Sequence, residues 1–69
     1  MDVLSKMEAV SKGFAISHAA NNSVDRTLDQ AIDYARALQN TSSGRDEYAV
    51  VDHEGVTPRY IVYVRDKHP

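Results

Sequence analysis

The apolar pattern of this sequence predicts an α+β protein. The expected architecture is a small, mainly antiparallel sheet of three or four strands packed on one main helix over residues 27–39, with a short N-terminal helix as an additional element. Three observations carry this. Leu28, Ala31, Ile32, Ala35 and Leu38 recur at helical spacing and form one apolar stripe narrower than half a cylinder. Two runs near the C-terminus, residues 47–52 and 59–65, are rich in Val, Ile and Tyr and are separated by a turn. A shorter run over residues 13–18 alternates Phe14, Ile16 and His18 with Ala15 and Ser17, as a half-buried strand does.

The length of 69 residues sets one domain, 1–69, and a chain this short buries only about 60% of the surface its unfolded form exposes. With 42% hydrophobic and 26% charged residues the chain has enough apolar content for a core. Zero cysteines remove disulfide staples and thiolate metal sites and fit a reducing, cytoplasmic setting. No apolar run is long enough to span a bilayer and no secretory leader is legible, so no membrane partner is expected. The two sequons, at Asn21 and Asn40, then read as chance matches.

In chain order, residues 2–12 allow two readings. Either Asp2 caps a helix whose Val3, Leu4, Met7 and Val10 share a face and which Gly13 stops, or residues 7–10 form a strand that turns through Gly13 into the next. The strand over 13–18 should turn Phe14 and Ile16 toward the main helix. Residues 19–26 read as a loop, with Val24 as a hydrophobic staple before the cap. Thr27 with Gln30 three positions on forms a capping box, Asp29 and Arg36 suit the helix dipole, and the helix should stop near Asn40. After a loop with Gly44, two strands follow, joined through His53, Glu54, Gly55 and Pro58; residues 66–69 should fray. The crossover from strand to strand through the helix leaves a mixed sheet open.

The final hairpin is apolar on both faces. Tyr60, Val62 and Val64 point one way, and Ile61 and Tyr63 the other, flanked by Arg59 and Arg65. One helix covers one face, so the other needs a lid: residues 3–10, a second copy of the chain, or a foreign protein. The expected contact residues are therefore Arg59, Ile61, Tyr63 and Arg65, with Tyr34 on the rim of the helix stripe. Asp25, Asp29 and Asp33 form an acidic edge read as solvated, with an Asp33–Arg36 pair.

Catalytic machinery is not legible. His18, His53 and His68 have no metal-ligand spacing, Ser17 and His18 point to opposite strand faces, and the glycines are isolated, so no catalytic residue, metal or cofactor is expected. The expected function is a non-catalytic protein-binding module such as an accessory subunit, adaptor or stoichiometric inhibitor, acting through an exposed sheet face or edge, with a homodimer as one form. The alternative is a small nucleic-acid-binding protein that uses Arg59, Tyr63 and Arg65 to stack and neutralise a single strand. The net charge of −2 weighs against it.

Overall fold

The computed structural model describes residues 2–22, 24–42 and 44–67. Its elements are β1 (Val3–Ser5), α1 (Lys6–Ser11), β2 (Ala15–Ile16), α2 (His18–Asn21), α3 (Leu28–Thr41), β3 (Asp46–Asp52) and β4 (Tyr60–Asp66). The four strands form one sheet in the order β1-β3-β4-β2. β3 and β4 make an antiparallel hairpin, β2 joins β4 antiparallel, and β1 joins β3 parallel. The fold is therefore α+β with one long helix on a mixed sheet. The parallel pair exists because an unanticipated strand, β1, precedes the first helix.

The hairpin is the central pair, and its pleat sorts its side chains into two cores. Val50 and Val62 face α3, where Ala20, Ala31 and Ala35 complete a buried cluster and Leu28, Ile32, Tyr34, Leu38, Tyr48 and Tyr60 pack around it. Ala49, Val51, Ile61 and Tyr63 face the other way, against Ala9 of α1, Phe14 and the half-buried Leu4. The missing cover is thus internal, and it comes from the N-terminal segment.

α3 is the element most legible beforehand. Thr27 caps it, the Thr27 hydroxyl accepting from Gln30 N–H at 3.2 Å and the Gln30 amide oxygen accepting from Thr27 N–H at 3.0 Å. It continues to Thr41, two residues beyond the expected 39. Its stripe is differently weighted than expected. Ala31 and Ala35 are fully buried, whereas Leu28, Ile32 and Leu38 are half-buried and line the rim. Small side chains at the centre let the helix lie close to Val50 and Val62.

The N-terminal region departs further. Helix α1 starts at Lys6 and not after Asp2, because Ser5 is the cap: its hydroxyl accepts from Glu8 N–H at 3.2 Å and Glu8 Oε1 accepts from Ser5 N–H at 3.0 Å. Val3 and Leu4 are extended in β1, so the expected helix face of Val3, Leu4, Met7 and Val10 does not form. Only Ala9 of α1 is buried. The strand expected over 13–18 shrinks to Ala15–Ile16, since Ser17 caps α2 and His18 is helical. Phe14 packs under α1 and not α3, and Ile16 is exposed. The expected loop 19–26 begins in α2, and Val24 is exposed, so it is no staple. Among the described residues Asp33 and Arg36 form no ion pair. At the C-terminus Asp66 is in β4 and Lys67 N–H donates to Arg45 O, so the fraying expected from residue 66 does not begin there; His68 and Pro69 lie outside the described residues.

Overpacking tests the close helix–sheet approach. Ala35→Leu is expected to lower stability by about 1–3 kcal/mol, read as a fall of the thermal midpoint by circular dichroism. A midpoint equal to wild type would mean that α3 stands off the sheet. Thr27→Ala and Ser5→Ala should each cost about 1 kcal/mol, since each removes a capping-box hydroxyl.

Candidate functional site

Five side chains were expected at a contact surface, and the fold distributes them differently. Ile61 and Tyr63 are 9% and 2% exposed, sealed beneath α1 and Phe14. They are core residues, which corrects the expectation that they form an open face. The reason is that 6 residues of helix, with Phe14 behind them, fill the groove above the small Ala49. Tyr34 is half-buried on the rim of the α3 core, with the Arg26 guanidinium 4.0 Å above its ring. Arg26 also donates to Ala20 O at 3.0 Å and so ties α2 to the start of α3.

Arg59 and Arg65 are both engaged. Arg59 grips Asp52 through two hydrogen bonds of 2.7 and 2.9 Å, with Glu54 at 3.9 Å. That pairing raises the Arg59 pKa and lowers that of Asp52. Arg65 sits directly opposite Glu47 across the hairpin, donates from Nε to Glu47 Oε1 at 2.8 Å and holds Nη2 2.6 Å from the same oxygen as an ion pair. Its guanidinium also stacks 4.3 Å from the Phe14 ring centre and donates to Lys12 O. Arg65 is thereby a latch on the segment that follows α1. With Tyr63 buried and both guanidinium groups paired, the three residues do not assemble an open stacking surface for nucleotide bases.

One part-buried polar contact ties the turn of the hairpin to β4. His53, in the turn after β3, lies with Nε2 2.8 Å from Tyr63 Oη, the rings meeting edge-on at 5.7 Å between centres. Burial, followed by the nearby Lys6 ammonium, pushes the His53 pKa below its ordinary 6.5, while Asp52 opposes the shift. Burial pushes the Tyr63 hydroxyl up. A neutral imidazole accepting from the tyrosine hydroxyl satisfies both groups.

What remains open is the outer side of α1. Met7 is 84% and Val10 61% exposed, and with Lys6 and Ser11 they line a shallow apolar depression. Val3, on the strand that leads into this helix, is also exposed. Neither sequence expectation for residues 2–12, a helix from Asp2 or a strand over 7–10, marks this patch; the Ser5 and Glu8 spacing is the signal for the later helix start. Among the described residues no group of three His, Asp or Glu is placed to hold a metal ion. No helix there is long and apolar enough to cross a membrane. No protein-family model, curated protein or solved structure matches the chain.

The His53 contact gives a pH dependence with a definite sign. Its folded pKa lies below the unfolded value, so the stability tied to it is complete above pH 6.5 and declines as the pH falls beneath that, levelling off once the folded imidazole is itself protonated. The urea midpoint should be lower at pH 5 than at pH 7.5, and His53→Gln should flatten that interval. Asp52 and Glu8, both depressed, act only below the ordinary carboxylate range, so they leave the window to His53. Tyr63→Ser should cost about 3–5 kcal/mol, as deletion of a core aromatic does, and Arg65→Ala should speed amide exchange over residues 6–12.

Proposed function

We propose that this chain is a non-catalytic protein-binding module, of the kind that serves as an accessory subunit, adaptor or stoichiometric inhibitor. It takes its partner on the outer side of α1 and the β1 edge beside it. The observation that carries this reading is the pair Met7 and Val10, three residues apart on one helix and the most exposed large apolar side chains among the described residues. Burial of an apolar side chain is worth on the order of 1.5–3 kcal/mol, so a chain that leaves two of them in water on its short lid helix forgoes stability that a partner recovers. Methionine suits such a surface, because its flexible thioether adapts to the contour it meets.

The partner in this reading is another protein or a second copy of the chain, reached in the cytoplasm, a setting that the absence of cysteine supports. No cofactor and no chemical step enter it. The second-ranked reading, nucleic-acid binding through Arg59, Tyr63 and Arg65, has less support, since the ring is buried and the cations are matched by Asp52 and Glu47.

Met7→Glu and Val10→Glu test the proposal directly. Both positions are exposed, so the thermal midpoint should change little, by roughly 0.5 kcal/mol or less. Salt-tolerant capture of a protein from a host extract should fall at least tenfold, or a wild-type dimer seen by light scattering should dissociate. Undiminished capture and unchanged mass in both variants would overturn the reading. Salt-sensitive retention of single-stranded oligonucleotides, lost in Arg59→Ala with Arg65→Ala, would favour the second one.

A further inference from the structure

The central hairpin is longer than the strands that flank it. β1 pairs only with Val50, Val51 and Asp52, which leaves residues 46–49 of β3, paired with β4 on one side, without a strand on the other. β2 pairs only with Val64 and Tyr63, which leaves residues 60–62 and 65–66 of β4 without a strand on their outer side. Alternate residues of each hairpin strand turn their N–H and C=O groups outward, and an exposed row of such groups is a template for another chain.

Where each flanking strand stops short on the side of helices α2 and α3, a side-chain amide takes the next position, and each reproduces the bonding of the strand whose line it continues. Gln39, on the last turns of α3, donates from Nε2 to Asp46 O at 2.8 Å and accepts at Oε1 from Tyr48 N–H at 2.9 Å. A carbonyl on one residue and an N–H two residues on is the pattern that a parallel neighbour makes, and β1 is the parallel neighbour on that edge. Asn21, at the end of α2, donates to Val62 O and accepts from Val62 N–H, both at 2.9 Å. Both bonds to a single residue is the pattern of an antiparallel pair, and β2 is antiparallel. Ser17 N–H also donates to Val62 O at 3.1 Å, which is where β2 would have continued had the chain not turned into α2. Ser42 Oγ adds a second donor to Asp46 O at 3.2 Å.

We infer that the amides of Gln39 and Asn21 are built-in strand surrogates that cap the hairpin edges where β1 and β2 stop, and that they guard those positions against strand pairing with a second copy of this chain. A second copy is the relevant occupant because an edge presented by one molecule is presented identically by the next, and two such edges pair antiparallel about a two-fold axis. The β3 edge is the vulnerable one, since its guard is a half-buried side chain on a helix surface, whereas Asn21 is buried and held further by Ser17 O at 2.6 Å.

The test removes the β3 guard alone. Gln39→Met keeps the bulk without either hydrogen bond, Gln39→Ala removes both bulk and bonds at a position where alanine favours helix, and Gln39→Glu leaves a charge on the edge. Sedimentation over a hundredfold range of concentration should show the Met and Ala variants associating at least tenfold more tightly than wild type and the Glu variant. The Tyr48 amide, followed by hydrogen exchange, should be protected in the associated species and fast in dilute variant. Leu38→Ala, which destabilises α3 without touching the edge, should associate no more than wild type. The inference is overturned if Gln39→Met and Gln39→Ala stay monomeric throughout, if Leu38→Ala associates equally, or if association in the Gln39 variants leaves the Tyr48 amide unprotected. Wild-type association through α1 leaves it standing, because Tyr48 is not on that surface.

Discussion

A hairpin that is apolar on both faces constrains everything else in this chain. Val50 and Val62 point to one side and Val51, Ile61 and Tyr63 to the other, and the valines are fully buried. Each such side chain is worth on the order of 1.5–3 kcal/mol when taken from water, and a domain of this size has about 5–15 kcal/mol in all. Leaving one face open would therefore forfeit a share comparable with the whole stability. α3 answers one side, and the β1, α1 and Phe14 segment answers the other with far less chain.

The economy of that second cover explains the shape of the surface. Helix α1 has 6 residues and meets the sheet through Ala9, since only a small side chain fits above Ala49 and Val51 at close approach. Its remaining apolar residues, Met7 and Val10, consequently face outward. Fixed contacts at its two ends compensate for the small buried area. The Ser5 and Glu8 box orders the entry, and Arg65 bonded to Lys12 O and stacked on Phe14 orders the exit. Charged residues that resemble a ligand-binding set in sequence are thus tied into the scaffold.

How much was legible followed the range of the interactions. The helix with its Thr27 cap and the hairpin strands were legible, because capping and periodicity are local. The shortening of the 13–18 strand was hidden, since it depends on Asn21 meeting Val62 41 positions away. Gln39 carried a faint signal, a polar residue four beyond Ala35 on the apolar stripe. Its partner at Tyr48 could not be inferred from that. Ile61 and Tyr63 are legible as facing away from α3, but whether their cover comes from within is a question of tertiary packing.

By itself the sequence determined the secondary structure of the long elements, the two-sidedness of the hairpin and the need for a second cover, all of which follow from side-chain periods of 3.6 and 2. The tertiary structure decided which segment supplies that cover, which apolar residues are left in water, and which polar side chains close the sheet edges. Those outcomes depend on the fit of particular volumes and hydrogen-bonding groups brought together from distant positions. Ala9 over Ala49, Gln39 against Tyr48 and Asn21 against Val62 are such meetings, and no local pattern encodes them.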